Sequence, residues 1–226
     1  MIEVRNIKKS FGDKVVIEDV SAVMKAGQCN LIIGTSGSGK TVLMKCMVGL
    51  FEPDEGEILY SGENFTNMSR NEKTEIRKQI GMLFQGGALF DSKNVEQNVM
   101  FPLDILTTMP PKDKIDRVNF CLARVGLENV NKKMPSEISG GMKKRVGIAR
   151  AIVTDPTLIV ADEPTGDLDS KSADEILTMM EVLAKEIGKT IIMVTHDPKA
   201  AGRAQRVLHL EKGKLVLDTA APALVH

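Results

Sequence analysis

The stretch Gly34-Thr35-Ser36-Gly37-Ser38-Gly39-Lys40-Thr41 decides the fold. It matches the pattern G-x-x-x-x-G-K-[ST], whose glycines let backbone N–H groups turn inward and surround phosphate oxygens. The apolar segment 28–33 before it predicts a buried strand, and residues 40–50 after it predict a helix whose positive end faces the loop. We therefore expect Lys40 to reach the β- and γ-phosphates of a nucleotide and the Thr41 hydroxyl to bind Mg²⁺.

A pair of acids predicts the second part of this chemistry. Asp162 and Glu163 follow the apolar segment Leu158–Ala161, which predicts a buried strand. On their own they would be interpreted as a solvated strand end. Beside a phosphate loop, however, Asp162 is placed to hold Mg²⁺ directly or through water, and Glu163 is placed to act as the general base that polarises the attacking water.

A third motif, Ser139-Gly140-Gly141, predicts a second anion site. Ser139 is a typical N-cap residue, and the two glycines leave amide N–H groups uncovered at the start of a predicted helix near residues 142–153. One bound nucleotide hardly needs two helix-terminal phosphate sites from the same chain. We therefore expect this site to close over the phosphate bound to another copy. The adjoining run Lys143-Lys144-Arg145 is interpreted as a solvated face of the helix.

The composition favours a globular protein without a nucleic-acid partner. Lysine and arginine total 30 among the 226 residues, and aspartate and glutamate also total 30, so the net charge of 0 lacks the basic excess of a nucleic-acid footprint. The longest apolar runs, 158–161 and 191–194, are too short to cross a bilayer, and residues 1–5 lack the features of a signal peptide. The 3 cysteines show no metal-binding spacing and are expected to be reduced structural thiols in a cytosolic protein.

The order of predicted elements favours a single α/β domain over residues 1–226, with helices and buried strands alternating around a sheet covered on both faces. Residues 53–62 predict a hairpin around Asp54-Glu55-Gly56. Three prolines then interrupt the chain before a helix with apolar positions at helical spacing, and this region is interpreted as part of a helical subdomain over residues 95–150. The prolines are Pro102, Pro110 and Pro111, and the apolar positions are Ile115, Val118, Leu122 and Val125.

Several features stand in one order along the chain, and together they resemble the nucleotide-binding domain of ABC transporters. They are the phosphate loop, Gln85 after an apolar strand, Ser139-Gly140-Gly141, Asp162-Glu163, Asp167-Leu168-Asp169 and His196. The resemblance covers nearly the whole chain. It implies an α/β fold with a P-loop NTPase core and a mixed sheet, an N-terminal antiparallel β-subdomain and the helical subdomain. It also implies that the chain binds ATP with Mg²⁺ and hydrolyses it.

The same resemblance implies a head-to-tail dimer of two identical or closely related chains. Two ATP molecules would lie between the phosphate loop of one chain and the Ser139-Gly140-Gly141 signature of the other. Gln85 would sense Mg²⁺ and the γ-phosphate, and His196 would contact the γ-phosphate. Asp169 would help to form the dimer interface near the attacking water. Phe11 would stack on adenine, where many relatives carry Tyr.

Two parts of the sequence indicate what such a transporter moves, and they point to different groups. Residues 81–91, together with Met142 in place of the usual glutamine of the signature, resemble the Mla-type ATPases that transport phospholipids with MCE-domain proteins. Residues 161–172 and 194–198 are instead similar to the ATPases of lipoprotein-releasing and MacB-like efflux systems. We give more weight to residues 81–91, because in this family they border the groove where the membrane partner docks.

The favoured hypothesis is therefore a cytoplasmic ATPase subunit, peripheral on the inner face of the cell inner membrane. It would bind a separate transmembrane permease and power phospholipid transport with an MCE-type substrate-binding protein. One alternative is the ATPase of a lipoprotein-releasing or MacB-like efflux system. Another is an ABC ATPase that serves as a soluble scaffold or signalling module. The motifs are compatible with all of these.

Overall fold

The computed structural model describes residues 1–220, and side chains through residue 218, so the end of the predicted 1–226 domain lies outside the described residues. The strands are β1 (Ile2–Phe11), β2 (Lys14–Met24), β3 (Cys29–Ile33), β4 (Glu55–Tyr60), β5 (Glu63–Asn64), β6 (Ile80–Leu83), β7 (Leu158–Asp162), β8 (Thr190–Thr195), β9 (Arg206–Glu211) and β10 (Lys214–Ala220). The helices are α1 (Lys40–Met47), α2 (Arg70–Lys78), α3 (Val95–Leu106), α4 (Pro111–Arg124), α5 (Gly140–Ile152) and α6 (Ser170–Lys185). The chain divides into two compact units, residues 1–77 with the chain from Met180 onward, and Lys78–Met179.

The first unit is built on a mixed sheet, in which the strands follow the order β5-β4-β1-β2-β10-β9-β3-β8. β1 pairs antiparallel with β2 and β4, whereas β3 runs parallel to β8 and β9. β10 connects these two parts, since it pairs antiparallel with β9 and parallel with β2. The predicted α/β fold with a mixed sheet and an N-terminal antiparallel part is confirmed.

The strand, loop and helix around the phosphate motif are confirmed to within a few residues by β3 and α1. Leu31 at the centre of β3 is fully buried, as expected of a parallel strand covered on both faces. α1 ends at Met47, before the predicted end at Leu50, because Gly49 takes a left-handed conformation with φ +72°. Helices commonly end at such a glycine, which accepts positive φ without a steric penalty.

The predicted hairpin turn around Gly56 is wrong. This residue and Glu55 already belong to β4, which pairs with β1. The chain reverses later, at Ser61 and Gly62, between β4 and β5. Gly56 instead allows β4 to approach β1 closely, because a Cβ at this position would lie 2.3 Å from the carbonyl oxygen of Asn6 on β1. Glycine is therefore needed at position 56 for the close contact of β4 with β1, not for a reversal of the chain.

The second unit contains the parallel pair β6 and β7 with the helices α3, α4 and α5. The sequence did not predict α3, because Pro102 was interpreted as an interruption, yet this proline lies inside the helix. Asn94 starts α3 by accepting from the backbone N–H of Gln97, whose side chain in turn accepts from the backbone N–H of Asn94. Val99 and Leu103 are buried, and this packing compensates for the hydrogen bond that a helical proline removes.

The predicted apolar stripe of α4 is mostly correct. Val118, Leu122 and Val125 are buried, but Ile115 near the start of the helix is 41% exposed. Arg117 on the same helix donates to main-chain carbonyls at the end of α5 and so ties the two helices together. In the part of the chain that the structure describes, no helix has the length and apolar character needed to cross a membrane.

The cysteines have the properties expected of structural thiols. Cys29, Cys46 and Cys121 are buried and form no disulfide. Burial raises the pKa of Cys29 to about 12 and that of Cys46 to about 11. Both side chains therefore remain protonated thiols near neutral pH, and thiols react far more slowly than thiolates.

Replacement of Gly56 by alanine is expected to destabilise the first unit. The new Cβ would meet the backbone oxygens of Asn6 and Arg5 at 2.3 and 2.4 Å, while φ stays at +87°. We expect the free energy of unfolding to fall by about 3 kcal/mol, measured by urea denaturation. Gly62→Ala is the matched control, because φ is +91° there but no atom lies within 4 Å of its Cβ. It should cost about 1 kcal/mol, and equal losses for both variants would contradict the contact argument.

Candidate active site

The phosphate loop connects β3 to α1 in the first unit, and its glycines are required by different constraints. A Cβ at Gly34 would lie 2.1 Å from the carbonyl oxygen of Leu210 on β9. Gly39 has φ +103°, and its Cβ would lie 2.9 Å from the carbonyl oxygen of Val16 on β2. Gly37 has free space around it but requires φ +78°. The loop is thus held between two strands at its ends, while its tip, residues 35–37, is exposed.

Lys40 curls back over this loop. Its Nζ donates to the carbonyl oxygens of Gly34 at 2.8 Å and Thr35 at 3.0 Å, and the residue is only 6% exposed. The Ser38 hydroxyl beside it is buried and has no hydrogen-bond partner within the described residues. A buried ammonium and an unsatisfied hydroxyl at a helix N-terminus form a donor set that fits a phosphate group.

A cleft of about 500 Å³ opens beside the start of α1. Its lining includes Lys40, Thr41 and two further lysines, Lys14 and Lys212. Phe11 is not part of this lining. It is 45% exposed, and its ring contacts the ring of Phe51 edge-on at 5.3 Å, with Lys9 Nζ 5.5 Å from its centroid. Positive charge and volume in the cleft suit the phosphates of a nucleotide.

The first unit also brings His196 to the phosphate loop edge of the sheet. β3 and β8 are parallel, and Ile33 pairs with Thr195, so Gly34 and His196 leave the sheet side by side. Thr195 is fully buried, whereas His196 is exposed. The carboxyl ends of neighbouring parallel strands are where ligands bind in open α/β sheets.

In the second unit, Asp162 is the last residue of β7 and is 9% exposed. Glu163 follows it with φ +46°, a left-handed conformation that residues with a side chain rarely adopt. The carbonyl oxygen of Glu163 accepts from Gly166 N at 3.1 Å and from Lys144 Nζ at 3.2 Å. Strained backbone of this kind concentrates at functional sites, where surrounding contacts hold it in place.

The interpretation of residues 143–145 as a solvated face is wrong for Lys144, which is only 3% exposed. Burial lowers the pKa of Lys144, and the carboxylates of Asp167, Glu163 and Asp162 act in the opposite direction. A signal was present in the sequence: Lys144 stands one turn before the buried Ile148 and so lies on the apolar stripe of α5.

The Ser139-Gly140-Gly141 segment starts α5 as predicted. Ser139 Oγ accepts from the backbone N–H of Met142 at 3.2 Å, which confirms Ser139 as the N-cap. Ser139 and Gly140 are exposed and accessible to another molecule. Further along the helix, Arg145 forms an ion pair with Glu175 on α6.

Asp169 has a structural function that the sequence did not indicate. Its carboxylate accepts from the backbone N–H groups of Ser172 and Lys171, each at 3.0 Å, and from Ser172 Oγ at 2.7 Å. Hydrogen bonds from Ser172, above all from its backbone N–H, hold the pKa of Asp169 below its usual range. Asp169 therefore caps α6 as an ionised carboxylate.

Gln85 lies exposed in the loop after β6. Two carbonyls of this loop, those of Gly87 and Ala88, accept from the guanidinium of Arg150 on α5 at 2.8 and 2.9 Å. Arg150 is 8% exposed, and burial lowers its pKa. Nothing in the local sequence distinguishes Arg150 from the other basic residues of α5, so its role becomes visible only in the folded chain. Thus α5 contacts both the loop of Gln85 and the carbonyl of Glu163.

Comparison with known proteins agrees with these features. The family model described as ABC transporter matches residues 17–166. The lipoprotein-releasing system ATP-binding protein LolD of Francisella tularensis subsp. tularensis (strain FSC 198) is 37% identical over 222 residues, 96% of each chain. The probable ribonucleotide transport ATP-binding protein mkl of Mycobacterium bovis is 42% identical over 87% of this chain and 55% of its own length. The methionine import ATP-binding protein MetN of Rhizobium johnstonii is 36% identical over 96% of this chain and 60% of its own length.

Thus the chain spans little more than half the length of some of its curated relatives.

Among solved structures, the dimeric post-hydrolysis state of the ATP-binding cassette MJ0796 bound to ADP and Pi has a TM-score of 0.88 and 32% identity, over 97% of this chain and 98% of the other. The phosphate loop with its buried lysine, the family match and this likeness lead to one conclusion. The chain belongs to the ABC transporter family and is an ATP-binding cassette that hydrolyses ATP with Mg²⁺.

Proposed function

We propose that this chain is the ATPase subunit of a transporter that moves phospholipids between membranes, and that it docks on a separate permease at the inner face of the cell inner membrane. The observation that carries the proposal is an apolar groove of about 280 Å³ in the second unit, beside the loop of Gln85. Phe84, Phe90 and Leu106 line it and are 39%, 39% and 38% exposed. Exposed apolar grooves of this kind typically receive an amphipathic helix of a partner protein.

Contacts within the second unit hold the groove in shape. The rings of Phe90 and Phe101 lie 4.6 Å apart between centroids, and the guanidinium of Arg150 lies 6.0 Å from the centroid of Phe90. Arg150 also holds the carbonyls of Gly87 and Ala88, as described above. A groove built from the same loop as Gln85 would pass a change at the nucleotide to a bound permease segment.

Phospholipid as the substrate is supported by the resemblance of residues 81–91 and of Met142 to the Mla-type ATPases. Of these residues, Gly81, Met82, Phe84, Ala88 and Phe90 line this groove. An MCE-type substrate-binding protein would then belong to the same system. Lipoprotein release is the second candidate. The observation that favours it is the match to LolD, which extends over 96% of both chains.

In the proposed site, residues 34–41 hold the triphosphate, with Lys40 turned from the loop carbonyls to the β- and γ-phosphates. Bound Mg²⁺ would supply positive charge to the phosphate oxygens, and we assign Thr41, Gln85 and Asp162 to it. Phe11 would present the face of its ring to adenine.

For hydrolysis, we propose that Glu163 acts as the base for the attacking water, with Gln85 and His196 at the γ-phosphate. A complete site also needs Ser139-Gly140-Gly141 and Asp169 from a second, identical or closely related chain. The exposed helix start at Ser139 is accessible for this role. We further propose that residues 1–226 form one ATPase domain and that residues 95–150 are its helical subdomain.

Lys40→Ala is expected to weaken ATP binding about tenfold or more, because it removes a charged donor from the phosphate site. Binding of a fluorescent ATP analogue measures this effect. Lys45→Ala is the control, since Lys45 lies on the same helix but stacks over Phe51 at 5.4 Å. It should keep the affinity of the unaltered chain, and an equal loss in both variants would contradict the assignment of Lys40.

Glu163→Gln is expected to lower the turnover of ATP by about a hundredfold or more, since glutamine cannot accept the proton of the attacking water. ATP should stay bound and hold two chains together, which size-exclusion chromatography with ATP detects. Glu186→Gln, at an exposed position beyond α6, is the control and should hydrolyse ATP normally. Normal turnover of Glu163→Gln would show that Glu163 is not the base.

Leu106→Glu is expected to release the chain from its permease, because a carboxylate in the groove would have to be desolvated on docking. The tagged chain is purified from its native membranes, and co-purified membrane proteins and lipids are identified by mass spectrometry. Ile115→Glu is the control, with similar exposure outside the groove. The unaltered chain and Ile115→Glu should retain a multi-spanning permease and phospholipid, and Leu106→Glu should lose both. Recovery of lipoprotein instead of phospholipid would favour the second candidate, and absence of the unaltered chain from membranes would contradict a transport role.

A further inference from the structure

Lys144 is the one residue of the basic run 143–145 that is buried, and its ammonium group reaches the loop that follows β7. Its Nζ donates to the main-chain carbonyl oxygen of Glu163 at 3.2 Å, and the residue is 3% exposed. Burying a lysine is unfavourable unless its charge finds partners. The carboxylates of Asp167, Glu163 and Asp162 lie near enough to interact with it electrostatically. The position of this ammonium group is therefore defined by the loop that follows β7.

The bond is made to a residue whose backbone needs support. Glu163 has φ +46°, in the left-handed region that residues with a side chain adopt at an energetic cost. Its carbonyl accepts two hydrogen bonds, from Gly166 N at 3.1 Å across the turn and from Lys144 Nζ across to α5. The bond from Gly166 forms within the loop itself, whereas the bond from Lys144 ties this peptide group to α5.

We propose that Lys144 is a positioning residue for ATP hydrolysis, which holds the main-chain carbonyl of Glu163 and thereby aims its carboxylate at the attacking water. The direction of a side chain follows from the φ and ψ of its own residue, so a fixed peptide plane limits where the carboxylate lies. The inference rests on the proposed role of Glu163 as the base.

A role of Lys144 in packing alone predicts a different effect of substitution from a role as a hydrogen-bond donor. If Lys144 only filled space beside Ile148, an unbranched apolar side chain of similar length would replace it without loss of activity. If it holds the carbonyl, a donor is required, and arginine can supply one from the same position. Methionine and arginine therefore separate the two possibilities.

The test compares Lys144→Met, Lys144→Arg and the control Lys143→Met in the full-length chain. Lys143 lies on the same helix and makes no described side-chain contact with Glu163, so its loss removes the same charge without the hydrogen bond. We expect Lys144→Met to lower kcat about tenfold or more with the Kd for ATP changed by less than about twofold. Lys144→Arg should recover at least about a third of the activity, and Lys143→Met should stay within about twofold of the unaltered chain.

Three outcomes would overturn the inference: full activity of Lys144→Met, no recovery by Lys144→Arg, or a parallel loss of ATP affinity and thermal stability in Lys144→Met. Should Lys144→Met fail to fold, a crystal structure of the unaltered chain with a non-hydrolysable ATP analogue decides the matter. Lys144 Nζ must then remain within hydrogen-bond distance of the Glu163 carbonyl oxygen, and a broken contact refutes the proposal.

Glu163→Gln, assayed in parallel, separates this inference from the proposed function. Full turnover of Glu163→Gln would remove Glu163 as the base, whatever Lys144 does. Loss of turnover in Glu163→Gln together with full activity in Lys144→Met would leave the base in place and refute only the role of Lys144.

Discussion

The close packing of the phosphate loop between β2 and β9 is the constraint on which the first unit depends. Gly34 lies against the carbonyl of Leu210, and Gly39 against that of Val16, with no room for a Cβ at either place. Gly213, in the turn between β9 and β10, donates to the Ser38 carbonyl at 3.0 Å and joins the loop to the last hairpin. Because the loop is fixed at these points, the backbone at the N-terminus of α1, from which the Lys40 side chain projects, has one defined position.

The second unit depends in a similar way on α5. This helix starts at the exposed Ser139 cap, reaches Glu163 through Lys144, pairs with α6 through Arg145, and holds the loop of Gln85 through Arg150. A helix moves as a rigid body, since its backbone hydrogen bonds resist local deformation. A displacement of the start of α5 by a second chain would therefore also displace Lys144 and Arg150, which contact the loop after β7 and the loop of Gln85. This arrangement links the exposed helix start at Ser139 to Glu163, the proposed base, in the same chain.

The chemistry of the chain was readable from the sequence because it depends on short, local patterns. A glycine loop between a strand and a helix, two acids after an apolar strand, and a serine before two glycines each define a local backbone geometry. Misassignments arose where distant packing decided the outcome. Gly56 is a turn-forming residue type, but it lies in a strand where β1 leaves no room for a Cβ. Pro102 is a helix-breaking residue type, but it lies inside α3, which is stabilised by its N-terminal cap and its buried face. Lys144 carries a surface signal but is buried.

The sequence by itself determined the family, the α/β class, and the local geometry of the phosphate loop and of the acidic pair at the end of β7. Tertiary structure alone decided which polar groups are buried and what they hold: Lys144 and Arg150 support two loops, and Asp169 caps α6. The physical reason is that residue type and spacing define local conformation, whereas burial and hydrogen-bond partners depend on segments far apart in the chain. The sequence shows that residue 144 is a lysine, but the Glu163 carbonyl to which it donates becomes its neighbour only when α5 packs beside the loop that follows β7.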